Sequence, residues 1–129
     1  SKVGKLLAKR MTTPDLIMSS TAVRTRRTTE LVAEQLGYDP VRVDYNEELY
    51  ETSTRILLKF INDISDEKEI VIIVAHNPAI TYLAEYITGK TIGNVRPGGI
   101  VHIEYDGSWA EISQNNATLI KYFYPDRSE

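Results

Sequence analysis

Apolar and polar residues recur along this chain in two rhythms, one near two residues and one near four. Leu16-Ile17-Met18 is a short apolar run bounded by Pro14 and by Ser19-Ser20-Thr21, the pattern of a buried strand. Ala22 to Leu36 then places apolar residues at Val23, Leu31, Val32, Ala33 and Leu36 among charges, with Gly37 where a C-terminal cap belongs, and predicts a helix. The hydroxyls of Ser19, Ser20 and Thr21 are suited to capping its start. Val41-Arg42-Val43 predicts a second short strand, and Asn46 to Ser53 an acidic, polar loop. Thr54 to Ile64 predicts an amphipathic helix with Ile56, Leu57, Phe60, Ile61 and Ile64 on one face. After the turn Asp66-Glu67-Lys68-Glu69, the run Ile70 to Ala75 is continuously apolar and β-branched, as a strand covered on both faces reads. A further helix is predicted over Ala79 to Ile87, with Asn77 as N-cap and Pro78 at the first helical position.

At the amino end, Val3, Leu6 and Leu7 fall at helical spacing between basic residues, so Lys2 to Arg10 reads as a helix already running at Ser1. Thr12-Thr13-Pro14 stops it. Beyond Gly89 the rhythm shortens. Gly98-Gly99 precedes a strand over Ile100 to Tyr105, Asp106-Gly107 is a turn signal, and Trp109 to Ile112 and Thr118 to Tyr124 read as further strands. Strand–helix alternation followed by short strands predicts an α/β fold, a three-layer sandwich on a mostly parallel, mixed sheet. No repeat, low-complexity tract or linker divides residues 1–129, so a single domain is expected.

Composition narrows the chemistry. The 129 residues are 42% hydrophobic and 26% charged, with a net charge of -3, which is ordinary for a globular chain and lacks the basic excess of a non-specific nucleic-acid binder. There is no cysteine, which excludes disulfides, thiolate zinc sites, iron–sulfur clusters and cysteine nucleophiles within these residues. The longest apolar run is strand-sized, far below the ~20 residues of a membrane span. No nucleic-acid or membrane partner is expected, and a cytoplasmic location is.

Ligands of open α/β sheets bind at the carboxyl ends of strands. Two such ends carry unusual residues here. One is Ser20-Thr21-Ala22-Val23-Arg24, with Arg26 and Arg27 close behind; the other is Ala75-His76-Asn77-Pro78. Both are strand-to-helix turns, which present backbone N–H groups and the positive end of a helix dipole to an anion. Arginine adds a bidentate partner for phosphate oxygens, and histidine a donor or proton carrier. Taken singly, the arginines are what a solvated helix face carries, and a lone histidine after a strand is commonly structural. Their pairing at two strand ends favours an anion site. His102 alternates with Val101 and Ile103 and reads as structural or surface, and Trp109 and the tyrosines as packing residues. No metal-ligand spacing, P-loop or dinucleotide fingerprint occurs, so no metal or cofactor is expected.

At these residues the chain resembles the histidine phosphatase superfamily, the phosphoglycerate-mutase-like proteins, and most of all the compact SixA-type phosphohistidine phosphatases. The resemblance runs from about Ser1 to Tyr124. It rests on Ser19-Ser20-Thr21-Ala22-Val23-Arg24-Thr25-Arg26-Arg27-Thr28 and on the later Ile73-Val74-Ala75-His76-Asn77. It implies that Arg24 grips a phosphoryl group, that His76 hydrogen-bonds and neutralises it, that Asn77 offers its backbone N–H and that Ser20 shapes the turn. In Glu47-Glu48-Leu49-Tyr50-Glu51, Glu51 is the positional candidate for a general acid, a solvated acidic loop being the alternative. The implied substrate is phosphohistidine on a protein, or a small phosphate ester; the competing reading is a non-catalytic phosphate- or phosphoprotein-binding domain. One departure stands out. The family's nucleophile is the histidine of an N-terminal Arg-His-Gly or Arg-His-Ala strand, whereas His76 follows Ala75 and His102 follows Val101. The resemblance therefore implies that this strand lies upstream of Ser1, in an N-terminal segment that the sequence omits.

Overall fold

The computed structural model describes residues 13–50, 52–96 and 99–123. The expected helix over Lys2 to Arg10, Glu51 and Tyr124 lie outside the described residues. The chain forms two compact units, one holding described residues 13–50 and 67–75, the other 52–66, 76–96 and 99–123.

The first unit is a parallel α/β layer. Strand β1 (Leu16–Ser20), helix α1 (Val23–Gln35), strand β2 (Asp44–Asn46) and strand β3 (Val71–Val74) follow in chain order, and the three strands pair in the order β2-β1-β3. Both ladders are parallel, with Ser20 opposite Asn46 and Ser19 opposite Val74. The carboxyl ends of β1 and β2 therefore meet along one edge. Side chains alternate across a strand, so Ile17 and Ser19 share a face. On α1, Thr29 and Ala33 stand one above the other, one helical turn apart. Ile17 clusters with Ala33, Tyr38 and Val43, and the Ser19 and Thr29 hydroxyls bond at 2.9 Å. Thr29 is fully buried and donates back to the Thr25 carbonyl at 2.7 Å. One apolar and one polar contact thus fix α1 on β1.

The helix ends as the sequence predicts. Leu36 caps it and Gly37 follows with φ +75, a left-handed conformation that only glycine adopts without strain. Its start differs from expectation. Ala22 is the N-cap and no side chain caps it, because the Ser19 hydroxyl is spent on Thr29 and the Ser20 hydroxyl accepts from the Ala22 N–H at 3.2 Å.

Two expected elements are corrected here. Val41-Arg42-Val43 is not a strand. Pro40–Arg42 is a single 3-10 turn, started by the Asp39 carboxylate, which accepts from the Val41 N–H, and by Pro40 at its first position; β2 begins only at Asp44. The expected loop after Asn46 contains a second such turn, Glu47–Leu49, whose Leu49 is fully buried. Strand β3 is also less covered than its apolar run implies. All four residues are half-buried, and it lies outermost in the strand order of the described residues.

Asp15 ties the start of β1 to the start of β3. Its carboxylate accepts from the N–H groups of Glu69 and Ile70 at 2.8 and 2.9 Å. The Ile70 amide first, then that of Glu69, hold its carboxyl below the ordinary 3.8, with Lys68 adding and desolvation opposing. A depressed folded pKa contributes stability above the unfolded value and loses it as pH falls through the folded one. The fall in urea midpoint between neutral pH and a pH below 3.8 is therefore expected to be smaller in Asp15→Asn than in the parent protein. An equal fall in both would remove Asp15 from this role.

The second unit holds helix α2 (Thr54–Asn62), helix α3 (Ala79–Thr88) and an antiparallel pair, β4 (Ile100–Glu104) with β5 (Thr118–Phe123). Leu57 and Ile61 of α2 and Ala79, Leu83, Ala84 and Ile87 of α3 form its buried faces. Trp109 to Ile112, expected as a strand, is instead a 3-10 turn over Trp109–Glu111. Ser108 and Glu111 cap it reciprocally. Asn62 holds that turn on α2 by donating to the Trp109 and Ile112 carbonyls at 2.8 and 3.0 Å. Gly89 closes α3 at φ +70, and a Cβ there would stand 2.7 Å from Asn115 Oδ1. Not every tyrosine packs inside: Tyr38 is buried, but Tyr50, Tyr82 and Tyr86 are exposed.

Candidate active site

In the first unit the candidate residues follow β1. Ser20 is fully buried, and its hydroxyl shapes the turn through the Ala22 N–H. The first helical bond of α1 runs from the Arg26 N–H to the Ala22 carbonyl at 2.8 Å, which leaves the N–H groups of Val23 and Arg24 without an intrahelical partner. Arg24 is exposed at this turn, and no ion pair to it occurs among the described residues. Arg26 is held differently. Its guanidinium lies 4.6 Å from the centroid of the Tyr45 ring, and the Tyr45 hydroxyl donates to the Arg26 carbonyl at 3.4 Å. Burial first, then the charge of Glu30, raise the Tyr45 phenol above its ordinary value, so it stays a neutral donor.

The sign of the charges at this helix start is informative. The first turn of α1 has no acidic residue and no side-chain cap, yet Arg24 and Arg26 stand on it and Arg27 follows directly. Cations there oppose the helix dipole, at a cost of roughly 0.3–1 kcal/mol each. A bound anion reverses that sign. Helix α2 offers a contrast: the Ser53 hydroxyl accepts from the Ile56 N–H at 3.3 Å and closes its start. Along the carboxyl edge of the same sheet, Asn46 caps the turn that carries the exposed Glu47 and Glu48. Leu49 anchors that turn.

In the second unit the candidate residues precede α3. His76 is half-buried and its carbonyl accepts from the Ile80 N–H at 3.2 Å. Asn77 is not the N-cap. The helix begins at Ala79 with Pro78 as N-cap and no side-chain cap. The Asn77 amide is engaged elsewhere: it donates to the Val95 carbonyl and accepts from the Thr81 hydroxyl. The peptide bond between Asn77 and Pro78 is cis.

Thr81 and Val95 were not marked by the sequence pattern. Thr81 lies four residues after Asn77, a spacing that stacks side chains on a helix, and that was the available signal. His102 lies on the surface of β4 and pairs with Glu104 at 3.2 Å. A groove of about 500 Å³ between α2 and α3, lined by Thr54, Arg55, Leu58, Tyr82 and Tyr86, contains none of the candidate residues. Among the described residues, no group of three His, Cys, Asp or Glu could hold a metal ion, and no helix is long and apolar enough to cross a membrane.

No protein-family model matches the chain. An uncharacterized protein of Mycobacterium leprae (strain TN) is 29% identical over 135 residues, covering 97% of this chain and 80% of that protein. Three solved structures share the architecture. A protein from Nakamurella multipartitia assigned as phosphohistidine phosphatase SixA has a TM-score of 0.79 at 22% identity, over 95% of this chain and 77% of that one. One from Agrobacterium tumefaciens with the same assignment has a TM-score of 0.78 at 25% identity, over 95% and 75%. The protein histidine phosphatase SixA complexed with tungstate has a TM-score of 0.77 at 17% identity, over 95% and 76%. With its mostly parallel strands and its three helices, the chain thus has the α/β fold of the SixA-type, phosphoglycerate-mutase-like histidine phosphatases.

Proposed function

We propose that the protein is a phosphatase that hydrolyses phosphohistidine on a phosphorylated protein through a phosphohistidine enzyme intermediate. The observation that carries this reading is the start of α1: no side-chain cap, no acidic residue, and Arg24 exposed on the first turn. A tungstate complex of a protein with this fold supports it, since tungstate is a tetrahedral oxyanion like phosphate.

In this reading Arg24 grips two phosphoryl oxygens, and the amides at the starts of α1 and α3 share the remaining charge. His76 donates to a phosphoryl oxygen as negative charge develops in transfer, and the Asn77 backbone N–H assists. The nucleophilic imidazole nitrogen bonds to phosphorus as the bond from phosphorus to the substrate nitrogen breaks. The leaving imidazole takes a proton, and water then cleaves the phosphoenzyme. Glu51 is assigned as the proton donor. A protonated phosphoramidate needs little such help, so the site tolerates a weak acid. Neither His76 nor His102 follows an arginine, and neither is assigned as the nucleophile. A second reading keeps the anion site at the start of α1 without turnover, as a domain that binds phosphate or phosphoprotein.

The test is phosphate release from a phosphohistidine protein by the natural protein. Release is expected, with acid-labile phosphate trapped on the protein, and it is expected to vanish in Arg24→Ala and His76→Ala. Parental rates in both variants would overturn the site. Tungstate or phosphate binding without release or trapped phosphate would leave the binding domain. Faster release from a small phosphomonoester would move the substrate class.

A further inference from the structure

A closed ring of hydrogen bonds stands at the start of α3. Asn77 Nδ2 donates to the Val95 carbonyl, Thr81 Oγ1 donates to Asn77 Oδ1 at 2.7 Å, and the Val95 N–H donates to Thr81 Oγ1 at 3.1 Å. The Thr81 hydroxyl is donor and acceptor at once. Both Thr81 and Val95 are buried. The ring begins at the residue after His76, whose own carbonyl accepts from the Ile80 N–H at 3.2 Å. The backbone on the carboxyl side of His76 is thereby fixed twice, by the first turn of α3 and by Thr81 through Asn77.

Thr81 is not needed merely to hold the loop after α3. Glu85 fastens one part of it by accepting from the Ile92 and Gly93 N–H groups at 2.7 and 3.1 Å. The Tyr122 hydroxyl fastens another by accepting from the Arg96 N–H at 2.8 Å. What falls to Thr81 is the orientation of the Asn77 amide. With Oδ1 accepting from Thr81, Nδ2 is turned to the Val95 carbonyl. We propose that Thr81, acting through Asn77, is a positioning residue that sets the His76 imidazole for contact with a phosphoryl oxygen. This rests on the assignment of His76 to phosphoryl binding.

The test compares Thr81→Val, Thr81→Ser and Glu85→Ala in the natural protein by NMR of the His76 imidazole and by titration with orthophosphate. Valine matches threonine in shape and lacks the hydroxyl, whereas serine retains it. Thr81→Val is expected to shift the His76 imidazole resonances and weaken phosphate binding roughly five- to tenfold, the size of one lost hydrogen bond. Thr81→Ser is expected to restore both. Glu85→Ala is expected to lower the melting temperature and leave both readouts in place. Unchanged His76 resonances in Thr81→Val, or equal shifts in Glu85→Ala, would overturn the proposal. If the parent protein binds no phosphate while Thr81→Val still shifts His76, the positioning role stands and the phosphatase reading fails. Should Thr81→Val not fold, Asn77→Ala carries the same expectation, because it cuts the link at its exposed end.

Discussion

Arg24→Ala is expected to weaken orthophosphate binding about ten- to a hundredfold without lowering stability. The first half follows from removing a charge-assisted, bidentate contact, worth about 1.5–3 kcal/mol when the acceptor is ionised. The second half follows from position. Arg24 stands in the first turn of α1 among other arginines, with no acidic residue to balance it. Its charge opposes the helix dipole, so its loss is neutral or stabilising by up to ~1 kcal/mol. Calorimetric phosphate titration and urea unfolding in phosphate-free buffer read the two halves separately. A residue that only decorates a solvated helix face would leave phosphate affinity unchanged. Arg24→Lys is expected to fall between, since an ammonium keeps the charge and loses the planar fork. Equal phosphate affinity in all three proteins would refute the assignment of Arg24.

Arg26 marks the contrast on the same helix. Its guanidinium covers the Tyr45 ring and its carbonyl takes the Tyr45 hydroxyl, so it joins α1 to β2 rather than waiting for a ligand. The charge pattern shows three arginines within four positions and does not rank them; the family resemblance is what singles out Arg24. The fold adds that the Tyr45 ring of β2 occupies Arg26, while Arg24 is exposed at the turn.

The misread elements share a physical cause. Val41-Arg42-Val43 alternates apolar with polar residues and Trp109 to Ile112 is apolar but for Glu111, and either pattern favours a strand over so few positions. In each case the residues just ahead decide otherwise. Asp39-Pro40 starts a turn by capping Val41, and Ser108 with Glu111 completes a capping box. Local capping outweighs an apolar pattern too short to bury much surface. Long elements were legible because their periodicity spans several turns: α1, α2 and α3 lie within two residues of their expected ends. Gly37 was legible for a sharper reason, since its φ of +75 is open to few other residues. The two candidate turns were legible, because Arg24 and His76 each sit just past a strand. The contacts that hold them were not. The Val95 N–H reaches Thr81 across fourteen positions, and Ser19 reaches Thr29 across ten, pairings that only the folded chain displays.

Ile17→Ala is expected to cost about 2–5 kcal/mol, a large part of the ~5–15 kcal/mol that holds a typical domain folded. Ile17 is fully buried on the middle strand of the β2-β1-β3 sheet. It packs with Ala33 of α1, with Tyr38 and with Val43, and Ile72 of β3 lies against the same cluster. Truncation removes three carbons where a helix and two strands converge, and the surrounding backbone is held by ladders on both sides of β1. The site cannot collapse, so a cavity term adds to the transfer term. Ile17→Val removes one carbon and is expected to cost ~0.5–1.5 kcal/mol. Urea midpoints at unchanged slope report both values. The turn keeps a tie of its own, because the Ser19 hydroxyl bonds to Thr29 and registers α1 on β1 without the Ile17 side chain. Where Ile17→Ala is still folded, Arg24 remains at the start of α1 and phosphate affinity is expected to stay within about twofold of the parent, as effects at separate sites add. A stability loss under ~1 kcal/mol would mean that β1 does not occupy the centre of this sheet, and with it the placement of Ser20 and Arg24 at a shared strand edge would fall.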